Sequence, residues 1–175
     1  MFRVIAIIAL LIAAGIALLR LSDSAASAGP SPMRQRGARL QRFIWLIMLI
    51  GAAVGALTGI GWLIFSHGPV GGWVLILHCL AAPLFAIGIA VIALLWAGAY
   101  MRGTCGGGCC SFWMMLISGM VVIFSIAFTM TPLFANQHFL LSVHRWSSLA
   151  LVFFMILHAA RVAAVTRAAR NRAGA

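Results

Sequence analysis

The chain has 175 residues, of which 65% are hydrophobic and 7% charged, with a mean hydropathy of +1.15. A soluble domain carries about a quarter of its residues as charges, so the composition excludes that class and points to an integral membrane protein. Twelve arginines, no lysine and a single acid, Asp23, give a net charge of +11. That balance also excludes chemistry built on carboxylates within the fold, such as nucleophile-base-acid triads and Asp/Glu proton relays.

The first apolar run covers residues 2–19 and carries Arg3 at its start. Ala26-Ser27-Ala28 follows it and resembles a signal-peptidase site. Cleavage there would leave Arg34, Arg36, Arg39 and Arg42 outside the membrane, against the positive-inside rule. The favoured reading is therefore a retained N-terminal transmembrane helix or signal anchor over residues 1–21, with its N-terminus outside. Residues 22–42, rich in Ser, Gly, Pro and Arg, read as a basic cytoplasmic linker.

Four further runs cover residues 43–65, 72–100, 112–134 and 138–165. Each reaches the length of about 20 residues that a helix needs to cross the hydrocarbon. Only helices and closed barrels satisfy the backbone in lipid, and the strict alternation of barrel strands is absent. The expected fold class is an all-α integral membrane protein. It consists of a four-helix transmembrane bundle over residues 43–166, the additional N-terminal helix, and a basic cytoplasmic tail over residues 167–175.

The arginines are placed for a membrane rather than for nucleic acid. Arg20, Arg34, Arg36, Arg39 and Arg42 lie between the first and second runs, Arg102 between the third and fourth, and Arg161, Arg167, Arg170 and Arg172 at the C-terminus. The connections 66–71 and 135–137 carry none. Basic connections alternate with uncharged ones, so the basic ends read as cytoplasmic and the two short loops as external. The tails also suit anionic lipid.

Of the five histidines, His78, His144 and His158 fall inside apolar runs. An ionisable side chain inside a membrane is a functional candidate by default. His144 and His158 are fourteen residues apart on one run. At about 100° per residue they fall within about 40° of one another around the helix, and about 21 Å apart along it. His78 and His144 each follow the outer start of their helix by six residues, counted from Gly72 and His138. Both are then about 9 Å below the outer surface. Two imidazoles at equal depth on antiparallel helices can approach one flat metal macrocycle from opposite sides, which is bis-histidine haem ligation within a bundle. Gly51, Gly55 and Gly59 form a stripe on a neighbouring helix that either makes room for a macrocycle or serves plain helix packing.

Val143-His144-Arg145-Trp146, with Leu157-His158 further along, resembles the last helix of four-helix di-haem cytochromes b. These are the membrane subunits of formate dehydrogenases, Ni-Fe hydrogenases and related bacterial b-type cytochromes. The resemblance spans residues 43–172 and implies haem b held by transmembrane histidines. It also implies electron transfer between redox protein subunits and quinone, in a bacterial cytoplasmic (inner) membrane. His78 and His144 would ligate an outer haem iron. His158 would ligate an inner haem or contact a quinone headgroup, and Arg145 would hold a propionate or a quinone headgroup. The chain departs from the family in having no fourth histidine opposite His158. Met48, Met114 and Met115 lie near its depth and methionine can ligate haem iron, whereas His67 lies too far out. The other partners open to His158 are a quinone carbonyl, a hydroxyl such as Ser111, or a backbone carbonyl. For Arg161 a positive-inside anchor is the favoured reading.

Cys105, Cys109 and Cys110 form a Cys-Gly-Gly-Gly-Cys-Cys loop, and Cys79 lies in a helix. A reducing cytosol and the lack of paired CxxC spacing favour free thiols over a disulfide or zinc site. With so little mass outside the membrane the chain reads as a non-catalytic electron-transfer subunit. The competing class is a cofactor-free structural or anchoring subunit of a larger membrane complex.

Overall fold

The computed structural model describes residues 2–22, 38–66, 70–102, 108–131 and 136–173. His67, Cys105 and the linker from Asp23 to Gly37 lie outside the described residues. All described regular structure is helical. Helix α1 covers Phe2–Ser22 and α2 covers Ala38–Ala56, continuing through a π-helical turn, Leu57–Gly61, into α3, Trp62–Phe65. Helices α4, α5 and α6 cover Gly72–Arg102, Gly108–Thr129 and Gln137–Ala173. Among the described residues four helices are long and apolar enough to cross a membrane, spanning Phe43–Phe65, Gly72–Leu95, Cys110–Thr129 and Gln137–Ala164. Val4–Ile16 of α1 is a shorter apolar helix. The protein is a multi-pass, all-α membrane protein.

Several boundaries differ from those expected, each for a local reason. Helix α2 starts at Ala38, inside the stretch read as linker, and α6 runs on to Ala173, through most of the stretch read as tail. Arginine is a good helix former, so an arginine-rich stretch continues a helix past the apolar boundary. Helix α5 starts at Gly108 and ends at Thr129, not at residues 112 and 134. The early start brings Ser111 into the helix. The early end precedes Pro132, which pushes Thr131 away from the helical region. Helix α6 is capped by Asn136, whose Oδ1 accepts from Phe139 N–H at 3.0 Å. Helix α4 starts on Gly72 at φ +58°, a left-handed conformation cheap only for glycine.

The helices are arranged as two antiparallel hairpins. Helix α2 packs along α4, α5 packs along α6, and α1 lies against α6, with the Phe2 ring 5.0 Å from that of Trp146. Within the hairpins small residues allow close approach, as lipid-embedded helices require. A Cβ on Gly51 would stand 3.0 Å from Phe85 N, and one on Gly88 would stand 2.8 Å from Met48 Cβ. The hairpins meet through a core of Met48, Phe85, Ile89, Ile92, Phe112, Met115, Leu116 and Leu151. Met48, Ile89, Ile92, Phe112 and Met115 are fully buried there. This packing fills the half of the bundle nearer Arg102 and the end of α6. The other half, nearer Gly72 and Gln137, holds the paired histidines.

Candidate functional site

His78 on α4 and His144 on α6 belong to different hairpins, and the fold brings them together. Their ring centres are 6.3 Å apart and their planes cross at 80°. Helices α4 and α6 both run inward from the end that holds Gly72 and Gln137, so they are parallel to one another and not antiparallel as expected; the equal depth is nevertheless realised as a direct pairing across the seam.

Each imidazole is anchored through Nδ1 to a hydroxyl on the neighbouring helix of its own hairpin. Thr58, within the π-turn, places Oγ1 2.9 Å from His78 Nδ1. The same hydroxyl lies 2.6 Å from the Val54 carbonyl and 3.3 Å from that of Gly55. A carbonyl accepts only, so the hydroxyl proton goes to Val54, and Oγ1 accepts from His78 Nδ1–H. On the other side Ser125 Oγ donates to the Val122 carbonyl at 2.8 Å and lies 3.2 Å from His144 Nδ1. His144 Nδ1 is also 3.2 Å from the Val122 carbonyl. It must therefore carry the proton, which leaves Nε2 with the lone pair. Both histidines reach the same tautomer by the same device.

The glycine stripe divides into three roles. Gly51 packs against the α4 backbone, and a Cβ at Gly55 would meet nothing within 4 Å. At Gly59 a Cβ would stand 3.0 Å from His78 Cε1, so this glycine seats the imidazole ring. Thr58 and Gly59 are consecutive, yet both serve His78. The π-turn, a helical irregularity that recurs at functional sites, is what presents the two to one ring.

His158 lies on the same face of α6 as His144 and is only 4% exposed. Its Nδ1 is 3.3 Å from Ser111 Oγ. The Trp45 ring stacks near it at 5.9 Å and 12°, and Phe112 lies at 6.0 Å and 52°. Ser111 is the hydroxyl that the sequence offered as a partner. Met48 and Met115 are buried in the core, whereas Met114 is 38% exposed. Arg145 follows His144 and is exposed, while Arg161 is half-buried one turn beyond His158. Cys79 and Cys110 are free and exposed. Among the described residues no three His, Cys, Asp or Glu side chains cluster as a metal site.

The residues that sequence reasoning missed are Thr58 and Ser125. A signal for the second was present. Ser111, Ser118 and Ser125 recur every seven residues on α5, the repeat of a seam between packed helices. The pairs Ser125–His144 and Ser111–His158 are each displaced by fourteen residues, in opposite chain directions. A helix hairpin in regular register produces that pattern. No family model, curated protein or solved structure matches the chain.

Proposed function

We propose that this chain is a b-type cytochrome membrane subunit that passes electrons between a redox partner and membrane quinone, with one haem held by His78 and His144. The observation that supports the reading most is the 6.3 Å separation of the two ring centres. Two Fe–N bonds of about 2 Å, plus about 1.1 Å from each bonded nitrogen to its ring centre, require about 6.2 Å. The committed Nδ1 atoms leave Nε2 of each ring for the metal, as is usual for ligating histidines. Bound there, haem would supply a one-electron couple.

The remaining residues serve the group rather than the chemistry. His78 and His144 supply neutral ligands from different hairpins, so ligation also ties the hairpins together. Arg145, exposed beside His144, is read as a guanidinium partner for a propionate or a quinone headgroup. The closed packing of Met48, Ile89, Ile92, Phe112 and Met115 favours one haem over two, with His158 a packed, hydrogen-bonded residue of the inner half. The arginine-rich ends are assigned to the cytoplasmic side.

An absorption spectrum of the purified membrane protein tests the reading. A reduced α-band of a low-spin b-type haem, at one haem per chain, is expected. A preparation that stays colourless after supply of haem during expression would leave the cofactor-free anchoring subunit in its place.

A further inference from the structure

We propose that Thr58 and Ser125 are positioning residues that hold His78 and His144 as Nδ1–H tautomers, keeping both Nε2 lone pairs for one metal between the hairpins. The tautomer assignment stands on the hydrogen bonds alone. The naming of the metal as haem iron rests on the function proposed above.

Three observations carry it. The first is the direction of the protons. Each hydroxyl has one hydrogen, and in both cases that hydrogen is taken by a carbonyl of the hydroxyl's own helix, Val54 at 2.6 Å and Val122 at 2.8 Å. The hydroxyl can then only accept from the imidazole. An imidazole without such a partner can hold its proton on either nitrogen, and only the Nδ1–H form presents Nε2 as a ligand. The second is duplication. The same arrangement occurs twice, on two hairpins, at the two histidines that face each other. The third is the π-turn. It presents both Thr58 and Gly59 to His78, the one bonding Nδ1 and the other leaving free the space beside the ring, where any Cβ would stand 3.0 Å from Cε1.

The two anchors differ in a way that sets a prediction. His78 is held by Thr58, whereas His144 has both Ser125 and the Val122 carbonyl. Removing the Thr58 hydroxyl leaves His78 free to rotate or change tautomer. Removing that of Ser125 leaves Val122 still accepting. An N–H···O bond also raises the basicity of a ligating imidazole, which favours ferric over ferrous iron, so losing the bond favours the reduced form.

The test uses full-length protein in bilayers, labelled with ¹⁵N at histidine, as wild type, Thr58→Val, Thr58→Ser, Ser125→Ala and the control Ser118→Ala. Without haem, wild type should show protonated Nδ1 and unprotonated Nε2 at both His78 and His144, and Thr58→Val should shift His78 to a mixture. With haem, Thr58→Val should retain about tenfold less haem on dilution. At a fixed ambient potential its ferric-to-ferrous ratio should fall about threefold to tenfold, where tenfold is about 59 mV for a one-electron couple. Ser125→Ala should move both readouts in the same direction by less. Thr58→Ser should restore wild-type values, and Ser118→Ala should match wild type. A protonated Nε2 at either histidine in wild type overturns the inference, even if Thr58→Val does not fold. So does a Thr58→Val protein equal to wild type in tautomer, retention and ratio. Protein that takes up no haem but shows both Nδ1–H tautomers would sink the cytochrome reading and leave the positioning role standing.

Discussion

His78 stands across the hairpin seam from His144 with its ring turned 80° to the partner ring, at a centre-to-centre distance of 6.3 Å. The relationship gives the first prediction. His78→Ala and His144→Ala should each abolish the reduced low-spin α-band, because one remaining imidazole cannot give six-coordinate iron two protein ligands. Visible spectra of membranes containing equal amounts of each variant decide the matter. A full-height α-band in either variant removes that residue from the iron.

The glycine stripe makes a second prediction, about stability. Gly51→Ala brings a Cβ to 3.0 Å from Phe85 N and 3.3 Å from the Ala81 carbonyl. These are backbone atoms, so relief requires α2 to move off α4. Overpacking of this kind costs about 1–3 kcal/mol. Gly55→Ala meets nothing within 4 Å and should be neutral or stabilising by up to about 1 kcal/mol through lower backbone entropy. Thermal unfolding of the two variants in one detergent measures the difference. Equal losses would mean that α2 and α4 do not approach as described.

Topology is the third. Cys110 is exposed in the first turn of α5, at the same end of the bundle as the C-terminal part of α6. If the arginine-rich ends are cytoplasmic, a single-cysteine variant retaining Cys110 should resist a membrane-impermeant thiol reagent in intact cells. It should react in inverted vesicles. A tag after Ala175 should follow the same pattern. Labelling of Cys110 from outside reverses the assignment.

How much of this was legible in the sequence follows from what each feature depends on. The four membrane-length helices follow from apolar run length, which the bilayer alone dictates. The meeting of His78 and His144 was legible because alternate helices of an up-down bundle with short connections run parallel and start at a common level, so equal counts from Gly72 and His138 mean equal depth. The ends of α5 were less so. They depend on where the backbone stops finding partners, and Pro132 ends the helix sooner than hydropathy does. Thr58 was hidden for another reason. Its direction depends on the π-turn at Leu57–Gly61, and no residue type announces such a turn. Ser125 was visible as a heptad member with Ser111 and Ser118, but only the hairpin register shows which α6 residue each one meets.

The last prediction concerns His158, whose place in the bundle differs from that of His144 despite the shared helix face. His144 looks across the seam at a second imidazole. His158 instead meets Ser111 Oγ at 3.3 Å, with Trp45 stacked nearby at 5.9 Å and Phe112 at 6.0 Å. The residues around it are packed, and His158 itself is 4% exposed. Replacing it with Ala removes the bond to Ser111 and empties the volume of a ring beside Trp45. Lost packing and a lost buried hydrogen bond together should cost about 2–4 kcal/mol. His158→Gln keeps a side-chain amide within reach of Ser111 and should recover part of that loss. Because the one-haem reading gives His158 no iron, pyridine haemochrome analysis should give one haem per chain in wild type, His158→Gln and His158→Ala alike, once each is compared at equal folded protein. A wild-type ratio of two that falls to one in His158→Ala would make His158 a ligand. It would also require the inner half of the bundle to open around a second haem.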